Sequence, residues 1–320
     1  MFDLLEVLKD AETIGIAGHI RPDGDCVGST MAMYMYLTKV FPEKRVDIFL
    51  EPIPAAYDCI KRLDEVRTDF VTDAECYDAF FVIDCDNTRI GQAQQYFEKA
   101  KLKINIDHHI SNPGCGDLNY LVPKASSASE LVFDLIGEDG LDEDIALSLY
   151  LGIIHDSGVF QYSNTSPKTL QTAAKLIAFN FDFSKIIEET FYQKTYMQNQ
   201  LLGKAVTDSH LILNGHGIYS VISKEVMEEN GAKGSDLDGI VNQLRNTKGV
   251  DCAIFMYELE DGQYKVSMRS NEKVNVSLIA QHFGGGGHVK AAGVTMNGTV
   301  EDIVTELSEL IQEQLKLPQA

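Results

Sequence analysis

His19, Asp23 and Asp25 fall within seven positions, in the stretch Gly18-His19-Ile20-Arg21-Pro22-Asp23-Gly24-Asp25-Cys26-Val27-Gly28-Ser29. Imidazoles and carboxylates at this density can hold a divalent ion. The stretch follows an apolar run, Thr13–Ala17, that reads as a buried strand. It precedes a run at 31–37 that reads as a helix beginning near Gly28. Pro22 and Gly24 suit a turn between the two. Open α/β sheets hold their ligands beyond the carboxyl ends of their strands, where this turn would lie. Taken alone, the stretch reads equally well as an acidic surface turn.

Three later stretches repeat the pattern. Phe80-Phe81-Val82-Ile83 runs into Asp84, and Lys103-Ile104-Asn105-Ile106 runs into Asp107-His108-His109. Leu149-Tyr150-Leu151-Gly152-Ile153-Ile154 runs into His155-Asp156. Ligands recurring at the ends of apolar segments can be gathered on one rim of a fold. So many suit two ions sharing a bridging carboxylate better than one ion.

The elements that must position these groups are legible as a pattern. Apolar strands at 13–17, 45–50, 79–84, 102–107 and 118–121 alternate with helical segments. That order predicts an α/β domain over 1–183, a parallel sheet with helices on both faces. Helices are expected at 128–136 and 143–154, and after Ser166-Pro167. A polar, helix-prone stretch at 184–208 reads as a helical linker. The remainder, 209–320, changes character. Asn214-Gly215 and Asp261-Gly262 each mark a hairpin turn. Helices are expected at 236–245, 276–283 and 300–315. Hairpins and helices without βαβ order predict a smaller α+β domain. Tyr34, Tyr36, Phe191 and Tyr192 read as core rather than as base-stacking residues.

Composition narrows the function. Lys and Arg number 27 against 48 Asp and Glu, a net charge of −21. Long nucleic acid binds by displacing many counterions with cationic side chains, so a processive nuclease is disfavoured. A small phosphorylated substrate at a metal-neutralised site is not. The six cysteines form no Cys-x-x-Cys pair, which suits a reducing compartment. Neither a secretory signal nor an apolar run of about 20 residues is evident, so a cytoplasmic protein without a membrane span is expected.

Together these motifs resemble the DHH/DHHA1 phosphoesterase family, over almost the whole chain. The resemblance rests on His19-x-x-Pro22-Asp23-x-Asp25-x-x-Gly28-Ser29, Asp84, Asp107-His108-His109 and Asp156-x-Gly158. It rests also on Gly284-Gly285-Gly286-Gly287-His288-x-x-Ala291-Ala292-Gly293. The similarity is strongest to the compact oligoribonuclease and pAp phosphatase branch and to the related cyclic-dinucleotide phosphodiesterases. It implies that His19 and Asp23 hold one ion, that Asp25, His108 and Asp156 hold the other, and that Asp84 bridges them. The ligand set favours Mn²⁺, with Mg²⁺ or Co²⁺ as substitutes. By the same resemblance His109 meets the phosphate or leaving oxygen, and Asp107 fixes ring orientation. Gly285, Gly286, Gly287 and His288 form a loop that cradles a phosphate or base, and Arg269 with Ser270 binds substrate. Arg89 is a weaker candidate, and His155 is taken as a tolerated residue where the family often has Thr.

The implied activity is two-metal hydrolysis of short oligonucleotides, linear dinucleotides or pAp, in a cleft between the domains. A cyclic-dinucleotide phosphodiesterase is the alternative within the class, and a non-catalytic nucleotide sensor the alternative outside it. The expected partners are short nucleotides, with no long nucleic acid and no membrane. A homodimer is left open.

Overall fold

The computed structural model describes residues 2–316. Two compact units follow one another in the chain, Met1–Gln193 and Lys194–Ala320. Among the described residues, no helix is long and apolar enough to cross a membrane.

The first unit is built on five parallel strands in the order β2-β1-β3-β4-β5. These are β1 (Thr13–Ala17), β2 (Arg45–Phe49), β3 (Ala79–Ile83), β4 (Leu102–Asp107) and β5 (Leu118–Leu121). Its helices are α1 (Leu4–Leu8), α2 (Gly24–Val40), α3 (Gln94–Lys99), α4 (Ala128–Ile136), α5 (Glu143–Asp156), α6 (Pro167–Ile177) and α7 (Phe183–Ile187). Side chains alternate across a pleated strand, so β3 feeds two cores. Ala79, Phe81 and Ile83 pack with α2, α4 and α5, while Phe80 and Val82 pack with Phe49, Tyr77 and Phe97 on the other face. Burial on both faces explains why β3 is apolar throughout.

Helix α2 starts at Gly24, four residues before the expected Gly28. Asp23 is the reason. Its side chain accepts from Asp25 N and Cys26 N, an N-cap that sets the first turn there. Asp25 therefore sits on the helix and not on the turn before it. Helix α5 likewise runs two residues past the expected 154 and ends on Asp156. Ser166 caps α6 with Pro167 at its first position, as the sequence suggests, and Thr169 completes a capping box with Ser166. Tyr34 and Tyr36 are buried, but Tyr192 is 54% exposed and does not belong to the core.

The polar stretch 184–208 is shared between the units. Helix α7 and a π-helical turn, Glu188–Tyr192, lie in the first, and α8 (Tyr196–Thr207) lies in the second.

The second unit carries a six-stranded sheet in the order β10-β11-β9-β8-β7-β6. The strands are β6 (His210–Ile212), β7 (Gly217–Ile222), β8 (Cys252–Glu260), β9 (Gln263–Ser270), β10 (Gly286–His288) and β11 (Ala291–Asn297). Helices α9 (Lys224–Glu229), α10 (Ile240–Arg245), α11 (Val276–His282) and α12 (Val300–Lys316) complete it. Both expected hairpins form. One pairing departs from the hairpin pattern: β7 and β8 are parallel, joined through α9 and α10, so one βαβ unit is present. The expected helix at 236–245 is broken. Gly239 takes φ 90°, ending a 3₁₀ turn at Leu237 and starting α10 at Ile240. Cys252, Ile254 and Met256 of β8 join the core with α11 and α12, whereas Ala253 and Phe255 face α8 and α10.

The glycine run is half strand. Gly286 and Gly287 enter β10, which pairs with β11 through Gly286–Gly293 and Gly287–Ala292. Gly287 takes φ 145°, and a Cβ there would collide with Ala291 O. Close backbone approach, rather than a free loop, is what glycine permits at this position.

Candidate metal centre

The first unit gathers its candidate ligands at the carboxyl ends of β1, β3 and β4. His19 follows β1 by two residues, Asp84 follows β3 directly, and Asp107 closes β4 with His108 and His109 behind it. Asp25 arrives on the first turn of α2 and Asp156 on the last turn of α5, helices that pack on each other.

Asp84 stands at the middle. Its Oδ2 lies 3.5 Å from His19 Nε2, and its Oδ1 lies 3.5 Å from His108 Nε2 and 3.7 Å from His109 Nδ1. Asp84 is buried, and its Oδ1 has no hydrogen-bond partner. A buried carboxylate oxygen left without a donor costs free energy unless a cation meets it. His19 also faces Asp23, with Nε2 3.7 Å from Oδ1. Its Nδ1 lies 2.9 Å from Ile20 O; a carbonyl only accepts, so Nδ1 carries a proton and Nε2 is the ring nitrogen that faces the two carboxylates. On the opposite side His108 Nε2 lies 3.2 Å from Asp156 Oδ2 and 3.9 Å from Asp25 Oδ2. Ligand atoms of His19 and Asp84, and separately of Asp25, His108 and Asp156, lie close enough to share an ion. The donor set fits divalent ions on both sides of Asp84.

The electrostatics agree with a site built for cations. Burial, then the neighbouring Asp84, pushes the Asp25 carboxyl up to about 7. Burial and Asp25 likewise hold Asp156 well above its ordinary value. Burial pulls His108 down, but Asp84, Asp25 and Asp156 outweigh it and bring the imidazole up to about 10. Carboxylates crowded this way attract any positive charge offered. Cys26 lies in the His19–Asp84 group, yet burial pushes its thiol up to about 11, so it keeps its proton.

Asp25 is anchored by backbone. Its Oδ2 accepts from Ala128 N at 2.6 Å and its Oδ1 from Ser129 N at 2.9 Å, the first turn of α4. A side chain at Gly152 would collide with Ser129 Oγ and lie 2.7 Å from Asp25 Oδ1, so glycine keeps this seat clear.

Asp107 does different work. Its Oδ1 accepts from His108 N, His109 N and His109 Nδ1, and its Oδ2 from Asn112 Nδ2. Both oxygens are engaged, so Asp107 orients the loop and the His109 ring. Asn112 is held by Asn105 Oδ1, and Asn105 Nδ2 donates to Val82 O and Cys85 O. Neither Asn was foreseen. A polar Asn105 inside an apolar strand was the available signal, since a buried side-chain amide calls for hydrogen-bond partners.

His155 turns away from the ligands. Its Nε2 lies 3.0 Å from Thr190 Oγ1, and it packs edge-on against Tyr57 and Phe191. Burial pulls it down to about 4, so it is a neutral packing residue. Arg89 is exposed, and its carbonyl accepts from Ile20 N.

The residues assigned to substrate lie in the second unit. Arg269 ends β9 beside Ser270, with Nη1 3.0 Å from Met268 O. Ser270 is buried, its hydroxyl 3.5 Å from Val289 O. Gly285 is partly covered and Gly286 and Gly287 are exposed. The His288 backbone lies in β10; its side chain is outside the described part of the structure.

Residues 13–153 match the model of the DHH family, N-terminal domain, and residues 214–317 match the DHHA1 domain. The chain is 31% identical to the bifunctional oligoribonuclease and PAP phosphatase NrnA of Bacillus subtilis, over 97% of this chain and 98% of the relative. It is 30% identical to the protein of the same name from Thermus thermophilus, over 97% of this chain and 93% of the relative. The fold is similar to that of an exopolyphosphatase-related protein from Bacteroides fragilis, with TM-score 0.88 and 23% identity over 96% of this chain and 94% of that one. With these matches across nearly its full length, the chain belongs to the DHH/DHHA1 phosphoesterase family.

Proposed function

We propose that this phosphoesterase uses two divalent ions, with Mn²⁺ the best match, to hydrolyse short oligonucleotides, linear dinucleotides or pAp. The observation that carries this reading is Asp84, whose two oxygens face opposite histidines, one of them buried without a donor. His19 and Asp23 would hold one ion, Asp25, His108 and Asp156 the other, and Asp84 both. Such a pair neutralises the phosphate and acidifies the attacking water.

The chain's own residues supply the rest. Asp107 accepts the hydrogen bond from His109 Nδ1, which leaves Nε2 for the phosphate or the leaving oxygen. Arg269 binds a second phosphate of the substrate through its guanidinium fork. The net charge of −21 favours short substrates over long strands.

The test is a hydrolysis panel with Mn²⁺ containing pAp, pApA, short RNA, cyclic di-AMP, cyclic di-GMP and pyrophosphate. Turnover is expected on pAp, pApA and short RNA. Turnover confined to pyrophosphate, or binding of nucleotides without any cleavage, would overturn the proposal.

A further inference from the structure

Asp25 and Asp156 reach the centre on different helices, and their separation must be held by something other than the ligands themselves. Asn164 lies between the end of α5 and the chain just ahead of α4. Its Nδ2 donates to Asp156 O at 3.0 Å and to Ser126 O at 2.8 Å. Asp156 is the last residue of α5, and Ser126 lies just ahead of the α4 N-cap, Ser127. Two and three residues beyond Ser126 are Ala128 and Ser129, whose N–H groups seat Asp25. One carboxamide thus ties the helix end that carries Asp156 to the helix start that anchors Asp25.

The chain takes an unusual route to place it. Gly158, Val159 and Phe160 all have positive φ, of 58°, 53° and 65°. A β-branched residue rarely adopts that conformation. Ser157 holds the turn, donating from Oγ to Ile153 O and accepting on Oγ from Phe160 N. Tyr162 N then donates to Ser157 O, and the chain returns to Asp156 eight residues on. Local strain of this kind persists where the surrounding structure demands it. From the other side, Ser126 is fixed through its N and Oγ to the buried Glu130, which also accepts from Thr169 Oγ1. Asn164 Oδ1 is buried and has no hydrogen-bond partner, so the side chain is present for its donors.

We infer that Asn164 is a positioning residue for the ion held by Asp25, His108 and Asp156. It touches no ligand side chain. It sets the distance between the Asp156 backbone and the α4 start, and through them the spacing of two carboxylates around His108. This inference rests on the two-ion reading of the site.

The test is calorimetric titration of Mn²⁺ into the chelated full-length chain, with melting temperatures measured before and after metal. Asn164→Ala is expected to weaken one of the two Mn²⁺ sites by roughly 10- to 100-fold and to leave the other unchanged. Asn164→Asp, near in shape but without the amide donors, is expected to lose at least as much. Metal-free melting should fall by no more than a few degrees in both, as the loss of two hydrogen bonds to main-chain carbonyls entails. Turnover of Asn164→Ala should recover as Mn²⁺ is raised, with an unchanged KM for the nucleotide. Wild-type Mn²⁺ affinity in both variants overturns the inference. So does a large fall in metal-free melting temperature of both, which would make Asn164 a purely structural cap. Failure of the wild-type chain to bind Mn²⁺ would instead overturn the two-ion reading, and this inference with it.

Discussion

Two aspartates bracket one strand of the first unit, and they live in opposite environments. Asp78 precedes β3 and Asp84 follows it. Asp78 accepts from Glu12 N, Thr13 N, Thr13 Oγ1 and Lys101 Nζ. Every charge and donor there is matched, and the group ties β1 to β3 at their amino ends. Asp84 adopts φ 66°, faces three histidines, and leaves one buried oxygen without a donor. A non-glycine residue held there costs roughly 1–3 kcal/mol. Parallel strands send all their carboxyl ends to one rim, so side chains that follow the strands are brought together there. The amino-end acid is satisfied within the chain, whereas the carboxyl-end acid keeps a buried oxygen without a hydrogen-bond donor.

The sharpest way to break this contrast is to remove each charge in turn. Asp84→Asn keeps the shape and loses the bridge. We expect kcat/KM to fall by on the order of 10³-fold, about 4 kcal/mol, with metal-free stability unchanged or raised. Near-normal turnover in this variant would remove Asp84 from the centre.

Metal removal comes next. Exhaustive chelation should abolish turnover, and Mn²⁺ should restore it. Mn²⁺ should also raise the melting temperature of the wild-type chain, because an ion that binds only the folded state stabilises it. Asp84→Asn should show a much smaller rise by scanning fluorimetry. Equal rises would mean that the ion binds elsewhere.

Arg269→Ala extends the comparison to the second unit, where the assigned Arg269 is half-buried and Ser270 buried. KM for dinucleotides should rise about 10-fold, equivalent to about 1.4 kcal/mol, with Mn²⁺ binding intact. Loss of Mn²⁺ binding in this variant would contradict its assignment to substrate.

Asp78→Asn should give the smallest effect, and none on turnover. The Lys101 hydrogen bond, with backbone and Thr13 donors, holds Asp78 down at about 2 from an ordinary 3.8. A depressed carboxyl stabilises the fold fully above its unfolded value and loses that stability as pH falls through its folded value. Between pH 4 and pH 2 the wild-type chain should therefore lose stability that Asp78→Asn never had. Allowing for partial exposure and solvent screening, roughly 1 kcal/mol is expected at neutral pH by urea denaturation. An unchanged acid profile in Asp78→Asn would show that the amino-end pairing contributes little.

Much of the centre was legible in the order of residues. Apolar runs ending in Asp84 and in Asp107-His108-His109 specify buried strands, and alternation with helices makes the sheet parallel. Those two facts alone bring the ligands to one rim, because every parallel strand points the same way. The cap at Asp23 was not read as such, and it moved Asp25 from a turn onto a helix. The glycine run looked like a loop because four residues without side chains carry no alternation that would mark a strand.

Tertiary structure alone decided the rest. Asp25 rests on backbone N–H groups of Ala128 and Ser129, more than a hundred residues away, and a backbone donor leaves no trace in residue type. The same holds for Asn164, whose partners are two main-chain carbonyls, and for the orientation that turns the two oxygens of Asp84 toward different histidines. Side-chain chemistry and local periodicity are written in the sequence; which backbone groups meet a given side chain depends on how distant helices dock, and only packing settles that.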